Sequence, residues 1–315
     1  MMNTAKKIER TSGIDPSCYE AITEAMRTEA RRLLEEGTVA AVIGYAPGRR
    51  AGTAVPTIVS APEQAAELFF SPACVNNLAL YLTRAKKGLR RRGRLAVVAK
   101  GCDLKALAAL MGESQLKRED VVIIGVACPG VAKENLCAGD LEAPMQAEKC
   151  RLCNARLPEG ADVVAGDPAA LAQSPCAEQD EELARLEAMT PAERWAFWKA
   201  HFSRCIRCYA CRQVCPLCYC EQCLCDRNRP QAVETTPRPS GNTAWHIVRA
   251  MHLAGRCAGC AECERVCPMD IPLNLLNRKM TRELKELYDQ EPGFAPAQKG
   301  PLTQYREDDD QSFIK

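Results

Sequence analysis

Apolar residues recur along the first half of the chain in two patterns, one with the period of a helix and one with the length of a strand. The helical period is clearest over residues 14–36, where Ile22, Met26 and Leu33 share one face. A second helical pattern covers residues 103–111. Short apolar runs that predict strands cover residues 38–45, 55–60, 95–99 and 121–127. Alternation of these strands with helices predicts a small parallel α/β sheet.

The second half of the chain has a mainly helical pattern. Residues 169–190, rich in Ala, Asp, Glu, Gln and Pro, predict a linker. Thr190, followed by Pro191 and Glu193, predicts the capped start of a helix that runs toward residue 201. Further helices are predicted over residues 243–253 and 273–288. The predicted organisation is an α/β domain over residues 1–168, the linker, a mainly helical domain over residues 191–290 and a mobile tail over residues 291–315.

Composition narrows the class of protein. The chain of 315 residues is 47% hydrophobic and 26% charged, as expected for a folded soluble protein, and its net charge of +2 predicts neither nucleic acid nor a membrane surface as partner. No apolar run reaches about 18 residues, so no membrane-spanning helix is predicted. No apolar segment follows the polar N-terminus, so no secretory signal is predicted and a cytoplasmic location is expected.

Cysteine is the unusual feature of the composition. Twelve of the 20 cysteines fall between residues 205 and 267, and such a density indicates either a disulfide framework or metal ligation. A cytoplasmic chain keeps its thiols reduced, which favours metal. The chain contains three histidines, which disfavours zinc sites of mixed Cys and His ligands. Thiolate-ligated iron-sulfur clusters are therefore the favoured interpretation.

One cysteine motif occurs twice. Residues 205–216 and 257–268 both have the spacing C-x2-C-x2-C-x3-C-P, which is typical of proteins with two 4Fe-4S clusters. In such proteins three cysteines of one run bind one cluster, and the fourth binds the other. The predicted ligands are Cys205, Cys208, Cys211 and Cys267 for the first cluster and Cys257, Cys260, Cys263 and Cys215 for the second. A zinc module is the alternative, although zinc sites favour two C-x2-C pairs with a longer gap between them.

This segment resembles the two-cluster ferredoxins. It resembles more closely the helical ferredoxin modules of the small subunits of succinate dehydrogenase and heterodisulfide reductase, in which Cys-Pro-x-x-Ile-Pro leads into a helix, as residues 267–272 (CPMDIP) do here. The chain departs from these modules in an insert over residues 218–241. The insert could hold an additional cluster or metal, or its cysteines could be packing thiols or spare ligands. These cysteines are Cys218, Cys220, Cys223 and Cys225.

Segments of the first half resemble the beta-subunit family of deazaflavin-reducing hydrogenases and formate dehydrogenases. They are residues 95–102 (LAVVAKGC), 123–130 (IIGVACPG), 150–153 (CRLC) and 161–167 (ADVVAGD). The resemblance implies a third 4Fe-4S cluster beside a flavin. The implied ligands are Cys102, Cys128, Cys150 and Cys153, with Cys137 in reserve. Ligands of parallel sheets usually lie beyond the carboxyl ends of the strands, and the positions of Cys102 and Cys128 at such ends agree with this assignment. The alternative is that Cys102 and Cys128 are ordinary buried thiols.

Bound FAD is expected from the resemblance alone. The chain has no Gly-rich dinucleotide fingerprint, and residues 44–52 (GYAPGRRAG), which contain glycine and arginine, are more typical of a surface turn than of a phosphate loop.

These features predict an iron-sulfur electron-transfer subunit of a cytoplasmic anaerobic redox complex. The resemblance implies a catalytic partner of the formate dehydrogenase, hydrogenase or heterodisulfide-reductase type. The subunit would relay single electrons between this partner and an acceptor. The alternative is a flavin-containing oxidoreductase subunit that reduces a deazaflavin or nicotinamide carrier. A zinc protein that binds nucleic acid is a third hypothesis, which the low net charge disfavours. No catalytic side chain is predicted.

Overall fold

The computed structural model describes residues 16–83, 93–133, 146–172 and 180–293, together with Glu307 and Ser312. The described α-helices are α1 (Pro16–Glu35), α2 (Gly101–Gly112), α3 (Glu148–Arg151), α4 (Pro168–Ala172), α5 (Glu181–Ala188), α6 (Pro191–Ser203), α7 (Ala210–Gln213), α8 (Pro239–Leu253), α9 (Glu262–Arg265) and α10 (Leu273–Tyr288). The strands are β1 (Ala41–Pro47), β2 (Ala54–Val59), β3 (Leu95–Ala99), β4 (Val121–Val126) and β5 (Val163–Ala165). Short 3-10 helices cover Pro62–Glu67, Leu78–Leu82, Arg118–Asp120 and Leu224–Asp226.

The five strands form one sheet in the order β2-β1-β3-β4-β5. β1, β3, β4 and β5 are parallel, as the sequence predicts, but β2 pairs with β1 in the antiparallel direction. The prediction of a parallel sheet is therefore wrong at this edge. The physical reason is the short connection, since Gly48 N–H donates to Thr53 O over 2.8 Å and closes a tight turn, whereas a parallel crossover needs a dozen or more residues.

The core of the α/β domain lies between the sheet and its helices. Ile22, Met26 and Leu33 of α1 are buried, which confirms the predicted apolar face. Every residue of β3 and β4 is buried, as expected for central parallel strands covered on both faces. Both strands end at the same edge of the sheet, and the chain continues from there into Gly101–Cys102 and Cys128–Gly130.

Helices α6, α8 and α10 form the second half of the molecule. Thr190 Oγ1 accepts from Glu193 N–H over 3.3 Å and Glu193 accepts from Thr190 N–H over 2.7 Å, so the predicted capping box at the start of α6 is present. Residues 181–188 of the predicted linker form α5, whose buried Leu183 packs near Leu275 of α10. Most of the predicted tail lies outside the described residues.

The two halves are joined by buried and half-buried polar contacts. Arg256 Nη1 donates to Glu113, at the end of α2, over 2.8 Å, and Tyr219 Oη donates to the same carboxylate over 2.6 Å. On the other side of the cysteine motifs, Arg278 of α10 lies 3.0 Å from Glu148 of α3. These contacts hold the cysteine-rich loops against the carboxyl edge of the sheet. None of the helices in the described ranges combines the length and the apolar character that crossing a bilayer requires.

Candidate metal centres

The two cysteine motifs fold into loops with the same backbone conformation. Arg207 and Tyr209 of the first loop both have a φ of 59°, and Gly259 and Ala261, at the equivalent positions of the second, have φ angles of 65° and 54°. A short helix follows at the same offset, α7 after the first loop and α9 after the second. Positive φ is uncommon outside glycine, so its recurrence at matched positions indicates a common local structure. Such turns direct backbone N–H groups toward an anion.

One small cavity, called here the first cavity, is lined by the first motif and by the last cysteine of the second. Its cysteines are Cys205, Cys208, Cys211 and Cys267. Arg207 N–H donates to Cys205 Sγ over 3.4 Å, and burial raises the pKa of Cys211. Cys208 is exposed, and Ile206 beside it is 54% exposed, so the first cavity adjoins the molecular surface.

The second cavity is lined by the second motif and by the last cysteine of the first. Its cysteines are Cys215, Cys257, Cys260 and Cys263. Burial raises the pKa of Cys257 and Cys260, and raises that of Cys263 to about 12. Asn277 Nδ2 lies 3.7 Å from Cys263 Sγ, within reach of an N–H···S hydrogen bond. Arg249 forms part of the same wall.

The chemistry of these thiols fits an iron-sulfur core. Buried thiols have raised pKa values because their charged form loses its hydration, and a bound metal reverses this preference by supplying positive charge. Among the residues described here, no three His, Cys, Asp or Glu side chains converge as one metal ion would require. A 4Fe-4S cluster does not require such convergence, since its four thiolates ligate four different iron atoms.

A third and larger cavity, the N-terminal cavity, has a volume of roughly 420 Å³ and lies at the carboxyl edge of the sheet. The four cysteines that the sequence places at this site all line it: Cys102, Cys128, Cys150 and Cys153. Val131 N–H donates to Cys150 Sγ over 3.4 Å, and Ala155 N–H to Cys153 Sγ over 3.3 Å. Gly101 permits this arrangement, because a Cβ atom there would overlap the Ala155 carbonyl.

Lys100 is a buried cation beside the strand-end cysteines of the N-terminal cavity. Burial raises the pKa of Cys102 and Cys128, while the nearby Lys100 ammonium acts in the opposite direction on both thiols. Lys100 is itself 2% exposed, and its Nζ donates to Asn76 O over 2.7 Å and lies 2.9 Å from Asp103. Lysine so deeply buried is rarely found without a charged partner, and here Asp103 provides one.

Sequence reasoning missed these buried cations. Lys100 stands two residues before Cys102, and Lys149 stands directly before Cys150. The presence of a lysine just before Cys102 and just before Cys150 was the available signal. Arg249 had no comparable signal, because an arginine within an amphipathic helix is usually exposed.

The four insert cysteines have different surroundings. Cys218 lies beside Cys215, and a hydrogen bond between the two raises the pKa of Cys215 and lowers that of Cys218. Cys223 and Cys225 interact with each other, and burial raises the pKa of Cys225 to about 11. Cys220 is exposed. A separate metal in the insert stays a prediction, as does its alternative of packing thiols and spare ligands.

The remaining cysteines fall outside these groups. Cys74 is buried beside Ser71, whose N–H lies 3.3 Å from its sulfur, and burial raises its pKa to about 11, which is typical of a structural thiol. Cys18 is half-buried on α1. Cys137, the reserve ligand, and Cys176 lie outside the described residues.

The chain is similar to beta subunits of formate dehydrogenases. It is 24% identical over 351 aligned positions to the F420-dependent formate dehydrogenase 1 subunit beta of Methanococcus maripaludis, a match that covers 83% of this chain and 88% of that protein. It is 34% identical over 96 residues to the F420-dependent formate dehydrogenase subunit beta of Methanocaldococcus jannaschii, which covers 30% of this chain but 25% of that relative. No protein-family profile matches the chain. These similarities indicate homology to such beta subunits.

Proposed function

We propose that this chain is an iron-sulfur electron-transfer subunit of a formate-dehydrogenase-type complex. The observation that carries the proposal is the exchange of fourth cysteines between the two repeated loops. Cys267 stands with the first motif and Cys215 with the second, as the two-cluster spacing requires. This exchange supports two 4Fe-4S clusters in the helical half, each of which would accept one electron at a time.

The N-terminal cavity supports a third 4Fe-4S cluster. Thiols of Cys102 and Cys260 lie close enough to influence each other electrostatically, as do those of Cys211 and Cys263. The order of the three sites is then the N-terminal cavity, the second cavity and the first cavity. The exposed edge at Cys208 would face a redox partner, and the cluster chemistry needs no protein side chain as acid or base.

The identity of the partner rests on the homologous beta subunits. Their names make a formate dehydrogenase the favoured catalytic partner, ahead of a hydrogenase or a heterodisulfide-reductase-like enzyme. A cytoplasmic and anaerobic setting belongs to the same proposal. The cytoplasm keeps thiols reduced, and exposed iron-sulfur clusters are sensitive to oxygen.

The alternative, a flavin-containing subunit that reduces a deazaflavin or nicotinamide carrier, draws support from the same cavity. The N-terminal cavity is lined by five cysteines, the four predicted ligands and Cys257 of the second motif. Its wall also contains cationic side chains of both halves of the molecule, which suit a phosphate-bearing cofactor such as FAD. The cationic side chains are Lys100, Lys105, Lys149, Arg156, Arg278, Arg282 and Lys285. Many of these already have carboxylate partners, which weakens this alternative.

A reductive titration of anaerobically reconstituted full-length chain tests the proposal against its alternative. Stoichiometric dithionite should deliver about three electrons per chain, one to each cluster. A bound flavin would add about two more electrons, together with a yellow chromophore released on denaturation. A zinc protein would take up none.

Two matched variants test which cysteines are needed for the uptake of the third electron. Cys102→Ala should reduce the uptake to about two electrons, because it removes a ligand of the third cluster. Cys18→Ala removes a half-buried thiol of α1 and should leave about three. Reconstituted wild-type chain that accepts no electrons would refute the proposed function, and an unchanged uptake in Cys102→Ala would refute the third cluster.

A further inference from the structure

Two buried cations lie between successive cysteine cavities. Lys149, whose side chain is 9% exposed, lies between the N-terminal cavity and the second cavity. Arg249, which is 5% exposed, lies between the second cavity and the first. The described cavities and cations therefore alternate along the molecule.

Lys149 contacts both of its neighbouring sites. It lines the N-terminal cavity and directly precedes Cys150 on α3. Its Nζ donates to Cys260 O, in the loop of the second cavity, over 2.7 Å, and to Val75 O over 3.3 Å. Its side chain therefore lies beside cysteine residues of both sites.

Arg249 has the equivalent position between the second cavity and the first. It lines the second cavity, and its Nη2 donates over 3.3 Å to the carbonyl of Cys211, a cysteine of the first cavity. Arg249 therefore lies beside Cys215 and Cys263 of the second cavity and beside Cys211 of the first.

An ordinary salt bridge does not account for Lys149. The Glu262 carboxylate lies 3.9 Å from its Nζ, but the same carboxylate accepts two closer hydrogen bonds from Arg265, at 2.9 Å and 2.8 Å. Burying an ammonium is costly unless an anion compensates it. The cysteine sites on either side supply that compensation if their sulfurs are thiolates.

We propose that Lys149 and Arg249 are positioning residues that set the reduction potentials of the two sites each of them separates. The inference rests on the proposed function, since it assumes that the cavities hold 4Fe-4S clusters. Reduction adds one negative charge to a cluster, and a fixed cation beside the ligating sulfurs favours that added charge. Each potential should then depend on the cation between the sites, even when no ligand changes.

The test is a redox titration, followed by EPR, of the anaerobically loaded full chain. Lys149→Met should shift two of the three potentials to more negative values, those of the N-terminal and second sites. Arg249→Met should shift the second and first sites in the same direction. Lys149→Arg and Arg249→Lys keep the charge and should restore potentials close to those of the wild type.

Lys117→Met provides the matched control, because Lys117 is 73% exposed and pairs with the equally exposed Glu119. It should leave all three potentials unchanged. A loaded Lys149→Met or Arg249→Met protein whose potentials equal those of the wild type would overturn the inference. A wild type without clusters would instead refute the proposed function, before any variant is compared.

Glu262→Gln tests the same claim in the opposite direction. It removes a negative charge from between Lys149 and the second cavity, so the potential of the second site should become more positive. A potential of the second site that is unchanged or more negative would overturn the inference, because charge at this position would then not act on the site. If Lys149→Met loads no iron, Lys149→Gln takes its place, with the same expected shift and the same overturning result.

Discussion

At the scale of single residues, Cys215 and Cys218 are neighbouring thiols to which the motif spacing assigns different roles. Both residues are half-buried, and their thiols are hydrogen-bonded to each other. Only Cys215 has the C-x2-C-x2-C-x3-C-P spacing, and it lines the second cavity together with the cysteines of the other motif. The two residues are therefore expected to respond differently to the same substitution.

Replacement of Cys215 by alanine should remove one cluster and lower the iron content from about 12 to about 8 atoms per chain. Cys218→Ala should keep about 12 atoms, because the cluster ligands remain intact. Iron and acid-labile sulfide are measured on anaerobically reconstituted protein. Equal iron loss in both variants would contradict the assignment of the fourth ligand.

At the residue level, the spacing of the cysteines gave a local signal on which ligands could be predicted, whereas the buried cations gave none. Regular spacing identifies a thiolate loop directly, since the loop must wrap the cluster corners. Lys100, Lys149 and Arg249 are buried by contacts between segments far apart in the chain, and no local pattern distinguishes them from exposed lysine and arginine.

At the scale of elements, local patterns predicted four of the five described strands and the five longest described helices. α10 (Leu273–Tyr288) has the predicted bounds, and the Thr190 capping box fixes the start of α6. The direction of β2 and the helix α5 were missed. The apolar pattern of two neighbouring strands does not say whether they pair in the parallel or the antiparallel direction. The apolar residues of α5 are buried by contact with α10, which is distant in the sequence.

Arg278 of α10 joins three helical segments, and its replacement should lower the stability of the protein. Its guanidinium lies 3.0 Å from Glu148 of α3 and 2.8 Å from Asp180 at the start of α5, and its side chain is 13% exposed. Arg278→Met should destabilise the protein by about 1–3 kcal/mol, because two half-buried carboxylates lose a charged donor.

The measurement for Arg278→Met is the thermal unfolding midpoint of the loaded protein under anaerobic conditions. Arg282, one turn further along α10, also pairs with carboxylates but is 46% exposed, so Arg282→Met is the matched control and should lower the midpoint much less. Equal midpoints for Arg278→Met and wild type would show that the ion pairs of Arg278 do not stabilise the packing of α10.

At the scale of the whole molecule, the N-terminal cavity depends on both halves. The sheet edge supplies Cys102 and Cys128, and the helical half supplies Ala258 and Arg278 to the same wall. Sequence resemblance predicted the cysteines of this site but not the contacts that join the two halves beside it, such as the hydrogen bond from Lys149 Nζ to Cys260 O. Such contacts join segments more than a hundred residues apart.

The central claim is that three sets of four cysteines hold three 4Fe-4S clusters, two of them with exchanged fourth ligands. The most direct test is iron analysis together with EPR spectroscopy on oxygen-free, reconstituted full-length protein. The account predicts brown protein with about 12 iron atoms per chain and, after reduction, signals from clusters close enough to interact magnetically. Colourless protein without bound iron would contradict it.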